Sequence, residues 1–170
     1  ADTIEALLTA RTRLIALIHV SNSVGTIQPV EEVGRLAQAH GIMFLVNASQ
    51  SVGQMPVNVQ ELNCDLLAAP CRKWMRGPQG LGFLYCRSEH LQELEPSYIG
   101  WNTTNLRPDG SGYEHVATAG RFEAGEPNYP AILGLKRSLE YMDEVGGLDQ
   151  ISLRIRQLTQ YSIERLGEIR

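Results

Sequence analysis

The chain has 170 residues and a mass of 18.8 kDa, the size of one ordinary domain. Hydrophobic residues make up 43% and charged residues 20%, which excludes a disordered chain. Fifteen Lys and Arg against nineteen Asp and Glu give a net charge of -4, which argues against a general nucleic-acid binder, and no apolar run approaches the ~20 residues of a membrane span.

The start carries Asp2 and Glu5 and does not read as a secretory signal. Arg13–Val20, RLIALIHV, is short, apolar and rich in β-branched residues, and predicts a buried strand. Ser21–Gln28 is a polar loop containing Gly25. Pro29 stands where the first helical position is expected, and Glu31 and Glu32 favour the positive end of the helix dipole. Val30, Val33, Leu36 and Ala37 supply the apolar stripe, and Gly41 fits the residue just past the helix end. Ile42–Val46 predicts a second buried strand. Strand, helix and strand within ~40 residues predict a βαβ unit and a parallel sheet.

Further on, Val57–Asn63 predicts a short helix and Asp65–Ala69 a third strand. A loop rich in charge and glycine runs from Cys71 to Gly80, and Leu81–Arg87 predicts a fourth strand. Ser97–Gly120 shows no sustained period and predicts a long loop. Tyr129–Val145 predicts an amphipathic helix with Ile132, Leu135, Leu139 and Met142 on one face, stopped by Gly146 and Gly147. Leu148–Ile169 predicts a second long helix. Because the chain opens on Ala1 and its last helical pattern has no stop signal, it is expected to be a segment of a longer protein.

The three cysteines form no CxxC pair and predict neither a disulfide framework nor a zinc site; a reducing, cytoplasmic compartment fits them. In open parallel sheets ligands bind beyond the carboxyl ends of the strands. Polar groups follow three strands here: Ser21 and Asn22, then Asn47, Ser49 and Gln50, then Arg72, Lys73 and Arg76. Converging on one rim, they would offer amides and cations to an anionic ligand with a polar ring.

Two stretches carry a family resemblance: HVSNSVGTIQPVEEVGRLAQAHGIMFLVNASQSVGQMPVNV and CDLLAAPCRKWMRGPQGLGFLYCR. The run resembles the large domain of class V aminotransferase-like enzymes that use pyridoxal 5'-phosphate (PLP), the group that includes cysteine desulfurases. RKWMRGPQGLGFLY is most similar to a subgroup with isopenicillin-N-epimerase-like and ergothioneine-pathway C–S lyase-like proteins, and RFEAGEPNYPAILGLKRSLEYMDEVGG continues the match. The resemblance implies the α/β large domain of a fold type I PLP-dependent transferase, incomplete here, with a mostly parallel sheet and flanking helices. Residues 1–147 would belong to the PLP-binding domain, and 148–170 to a helix leading toward a small C-terminal domain. It also implies an amino acid substrate and a homodimer, with no nucleic-acid or membrane partner.

Position by position, the resemblance makes Lys73 the lysine that forms the Schiff base with PLP. Gln50 would contact the cofactor's phenolic oxygen, and Asn22 would lie near the ring and the substrate carboxylate. Arg72 would stand beside the phosphate. Glu126 and Asn128 would lie in a loop that approaches the cofactor across the dimer interface. Independently, a lysine becomes nucleophilic through burial and neighbouring cations, here Arg72 and Arg76. Two departures stand out. Asn47 takes the place of the aspartate that holds the pyridine nitrogen protonated, and Pro70 takes the place of a hydroxyl residue at the phosphate.

Cys71 reads as a small residue in a tight loop, with a reactive thiol beside Arg72 and Lys73 as the alternative. Cys64 and Cys86 read as packing residues, and His19, within an apolar strand, as a satisfied core histidine. His40, His90 and His115 show no metal-ligand spacing. Trp74, Trp101 and Tyr129 read as packing or interface residues. A nucleotide-binding domain is disfavoured, since neither GxGxxG nor a P-loop lysine motif occurs. Two readings therefore stand: a PLP-dependent enzyme segment acting on an amino acid (a transferase, a desulfurase-like lyase or an epimerase), and a non-catalytic remnant or dimerisation module that keeps the fold.

Overall fold

The computed structural model describes residues 1–169. A short helix, α1 (Asp2–Glu5), precedes a four-stranded sheet made of β1 (Leu14–Ile18), β2 (Met43–Asn47), β3 (Leu66–Pro70) and β4 (Gly82–Cys86), in the order β1-β2-β3-β4. The first three strands run parallel and β4 is antiparallel to β3, so the expected mostly parallel sheet is present. Helix α2 (Val30–Ala39) joins β1 to β2. A two-stranded ribbon, β5 (Thr104–Leu106) with β6 (Tyr113–His115), precedes two long helices, α3 (Tyr129–Glu144) and α4 (Gly147–Gly167).

Alternation along β2 divides the sheet into two faces. Phe44 and Val46 are fully buried in a cluster with Val30, Val33 and Ala37 of α2. Burying a phenylalanine contributes ~1.5–3 kcal/mol. Leu45 and Asn47 point to the other face. Helix α2 starts after Pro29, one position later than the sequence predicts, and ends in a Schellman motif. There the amides of Gly41 and Ile42 donate to the carbonyls of Gln38 and Ala37, and Gly41 takes φ 64°. Gly34 lets α2 lie against the Leu62 carbonyl, which a Cβ would approach to 2.1 Å.

Two predicted elements differ. Val57–Asn63 forms turns rather than a helix. The Asn58 side chain accepts from the Gln60 amide at 3.0 Å, offering the backbone a local alternative, and Asn63 takes φ 50°. Ser97–Gly120 is not one long loop, because it contains the β5–β6 ribbon and the start of a 3-10 turn over Ala119–Phe122. At the start of the chain, α1 is an added element of four residues.

His19 is buried, but it is not satisfied: Nδ1 has no hydrogen-bond partner among the described residues. Burial lowers its pKa below the ordinary 6.5, against a smaller opposing pull from Glu31. An unfolded His19 therefore takes up a proton near pH 6.5 that the folded one resists. The stabilisation is full above that pH and is lost as pH falls toward the folded value. His90 works in the opposite sense. Its hydrogen bond to Glu93 raises its pKa, so its contribution is full below 6.5 and lost as pH rises through the folded value. Between about pH 8 and about pH 5 the wild type is expected to lose more stability against urea, or gain less, than His19→Leu does. An unchanged pH slope in the variant would contradict the assignment to His19.

Candidate functional site at the carboxyl edge of the sheet

The register of the parallel strands assembles the site. Asn47, the last residue of β2, pairs with Ile18 of β1 on one side and Ala68 of β3 on the other. The pairing extends one step further, with the His19 amide donating to the Asn47 carbonyl and the Ala48 amide to the Ala68 carbonyl, both at 2.9 Å. The polar segments after β1, β2 and β3 therefore leave the sheet from one edge.

After β1 the chain turns back on itself. The Ser21 amide donates to the Thr26 carbonyl and Gly25 to Ser21, which leaves Asn22 exposed on the loop. Ser49–Gly53, after β2, is pressed against the turn that follows β3. Gly53 takes φ 91°, and a Cβ there would come within 2.6 Å of the Trp74 carbonyl carbon and the Met75 nitrogen. The Trp74 indole N–H donates to Gln50 Oε1 at 3.1 Å. That leaves the Gln50 amide N–H groups without a partner among the described residues, as donors. Gln54 Nε2 donates to the Gln50 carbonyl and adds a second tie to the segment.

Lys73 stands on this turn. The Arg76 amide donates to the Lys73 carbonyl at 2.9 Å and the Gly77 amide to the Cys71 carbonyl at 2.8 Å. Arg76 takes φ 58°, and its guanidinium lies 6.0 Å from the Tyr141 ring centroid. The Ser138 hydroxyl of α3 donates to the Met75 carbonyl at 2.5 Å. The turn is thus held to the Gln50 segment and to α3. Lys73 is half-buried and Arg72 exposed, and neither side chain is hydrogen-bonded or ion-paired among the described residues.

Two cavities border this edge. Asn22 and Gln50 share a groove of about 910 Å³ with Trp74 and Arg156 of α4. Asn47 and Pro70 share a depression of about 640 Å³ on the sheet face opposite α2, with Phe122 and Glu123 at its margin. Lys73 and Arg72 line neither cavity. Asn47 accepts the Ser49 amide on Oδ1 at 3.1 Å.

The remaining candidates have structural roles. Asn128 caps α3, its Oδ1 accepting the Ala131 amide at 3.2 Å, while Glu126 is exposed. Cys71 is buried, and burial raises its thiol pKa, so the small-residue reading holds over the reactive one. Burial likewise pushes Cys64 up to about 11. Asp65, Glu89 and His90 bring ligand atoms within 4.8 Å of one another, but Asp65 is taken up by the Arg87 guanidinium at 3.0 Å. The residues that sequence reasoning missed are Gly53, Ser138 and the bonding role of Trp74. A glycine between Val52 and Gln54 was the available signal, but the close approach that requires it is tertiary.

The family profile described as Aminotransferase class-V matches residues 1–170. The chain belongs to the class-V aminotransferase family. A probable cysteine desulfurase of Halalkalibacterium halodurans is 35% identical over 169 residues, covering 99% of this chain and 41% of that protein. The apo structure of a cysteine desulfurase from Thermococcus onnurineus NA1 superposes with a TM-score of 0.83 at 39% identity, over 92% of this chain and 38% of that one. A C-DES mutant solved with glycine covalently linked to its PLP cofactor gives 0.87 at 26% identity, over 99% and 45%. The chain thus spans about two fifths of the length of these class-V relatives.

The Gly53 contact fixes the relative position of Gln50 and Lys73, so adding a methyl group there is expected to disturb both. Gly53→Ala is predicted to cost about 1–3 kcal/mol of folding stability. It should also speed amide exchange at Arg76 and Gly77, whose bonds close the Lys73 turn. Unaltered exchange at those two amides would show that the turn does not depend on Gly53.

Proposed function

We propose that the chain is the cofactor-binding part of a PLP-dependent enzyme acting on an amino acid, with Lys73 as the residue that attaches the cofactor. The observation that carries the reading is an amine with no competing partner on a turn tied to Gln50, at the edge where three parallel strands end. Family membership supports it, and the cysteine desulfurase relatives favour a sulfur-containing amino acid as substrate and C–S cleavage over transamination or epimerisation.

The donor set fits the cofactor in kind. PLP, when bound, supplies an aldehyde that couples to an amine and a ring that accepts charge from the substrate's Cα. The Lys73 amine would hold the cofactor, yield to the substrate amine and carry the proton at Cα. Gln50, oriented by Trp74, presents amide N–H groups suited to a phenolic oxygen. Asn22 offers an amide to the substrate carboxylate, and Arg72 offers a cation to the phosphate. Pro70 contributes no hydroxyl there.

The exposed apolar residues Tyr98, Ile99, Trp101 and Leu106 suit a homodimer interface, Trp101 being 80% and Leu106 85% exposed. The three cysteines are free, which fits a reducing, cytoplasmic setting. No helix among the described residues is long and apolar enough to cross a membrane. The second reading, a non-catalytic module that keeps the fold and its dimer face, is favoured by Asn47 and Pro70.

Borohydride added to the PLP-treated protein is expected to fix the cofactor to the peptide containing Lys73. Label on another lysine, or none at saturating PLP, would sink the assignment and leave the non-catalytic module. For assembly, sedimentation should show self-association that Trp101→Ser combined with Leu106→Ser weakens. A clean monomer of the wild type at high concentration would count against the homodimer.

A further inference from the structure

We propose that His90 is a protonation-dependent clip that fastens residues 88–93 to the amino end of β3 and releases them when the imidazole is neutral; the clip does not rest on the PLP reading. The 3-10 turn Ser88–His90 follows β4 and sets the ring between two carboxylates. Nδ1 lies 3.0 Å from Glu93 Oε2, and Nε2 lies 3.4 Å from Asp65 Oδ1. An ionised carboxylate only accepts, so each ring nitrogen needs a proton to bind its neighbour. A neutral imidazole carries one N–H and serves one side. The imidazolium carries two and joins both. The His90 and Asp65 side chains are only 21% and 17% exposed, so solvent screens the pair less than a surface ion pair.

Asp65 is the fixed half of the clip. Its Oδ2 accepts the Phe44 amide at 2.9 Å, and its own amide donates to the Phe44 carbonyl at 3.0 Å. The Arg87 guanidinium bonds Asp65 Oδ1 at 3.0 Å and lies 3.7 Å from Glu89, which itself stands 3.9 Å from His90 Nε2. Among the described residues, three carboxylates (Asp65, Glu89 and Glu93) thus share one guanidinium until His90 supplies a second cation. The hydrogen bond to Glu93 raises the His90 pKa most, burial opposes it, and Asp65 adds to it. The clip is therefore closed below pH 6.5 and opens as pH rises through the folded value. Its reach comes from what residues 88–93 carry. The Leu91 carbonyl and Gln92 Oε1 accept from Arg121 Nη1 at 2.6 and 3.0 Å, and Arg121 is buried. Removing those acceptors would strand a buried cation, so Arg121 must follow the segment. Ala119 and Phe122, on either side of Arg121, line the depression on the free face of the sheet. The clip therefore acts on the margin of that depression.

The test is an NMR titration of the histidine ring signals of the full chain between about pH 5 and about pH 9. Carbon-13 relaxation at Cα reports backbone order on the same samples, and His90→Gln identifies the His90 signal. His90 is expected to titrate above pH 6.5. Order parameters at Leu91 and Arg121 should fall along the same curve, from about 0.85 to below about 0.6. Ala48, whose amide is bonded to the Ala68 carbonyl within the sheet, should keep its order throughout. In His90→Gln, whose side chain does not titrate, order at Leu91 and Arg121 should not change with pH. A His90 midpoint at or below 6.5, or order at Leu91 that stays constant through the midpoint, would overturn the clip, and both are read on the wild type alone. An equal pH dependence in His90→Gln would also overturn it, because another group would then drive the change. A change at Leu91 with none at Arg121 would overturn its reach to the depression.

Discussion

The contact between Gly53 and the backbone of Trp74 and Met75 is the constraint on which the candidate site depends. The Gln50 segment leaves β2 and the Lys73 turn leaves β3, and parallel strands alone bring only their ends together. The missing side chain at Gly53 removes the obstacle between the two segments, and its φ of 91° is a conformation that side-chain-bearing residues adopt at a cost. Once the backbones touch, the Trp74 indole reaches Gln50 and the Ser138 hydroxyl reaches Met75. The lysine is then presented from a rigid support, the arrangement a covalent attachment point needs.

Within that support, Asn47 and Pro70 are the two departures from the pattern that the resemblance implies. Both line the depression on the face of the sheet left free by α2, Asn47 beside Ala68 and Pro70 two residues further along β3. Neither disturbs the fold. Asn47 still closes its turn through Ser49, as a carboxylate would, and Pro70 ends β3 opposite Gly82 of the antiparallel strand. The two residues change the groups offered to a ligand and leave the scaffold alone.

Much of this was legible in the residues themselves. The strands β1 and β2 announce themselves as short β-branched runs, and α2 by Pro29, its first-turn acids and Gly41. Val57–Asn63 forms turns in place of the predicted helix because Asn58 bonds the local backbone instead. The β5–β6 ribbon was hidden because its strands have three residues each and are largely exposed, too short for a period-two pattern to emerge. Lys73, Gln50 and Asn22 are singled out in the sequence by the resemblance and by their place after the strands. Gly53 and Ser138 are not, because each acts through a partner more than twenty residues away in sequence. His19 was legible as a core residue but not as an unsatisfied one, since hydrogen-bond partners come from elements that a single strand does not show.

The proposed function turns on the Lys73 amine, held on the turn packed against Gly53, as the attachment point for the cofactor. An absorbance titration of the purified chain with PLP tests it most directly. The wild type is predicted to show the saturable spectral change that marks covalent capture of the aldehyde. Lys73→Ala, folded by circular dichroism, should show the spectrum of free PLP at every concentration. An equal spectral change in both proteins, or none in either, would contradict the claim.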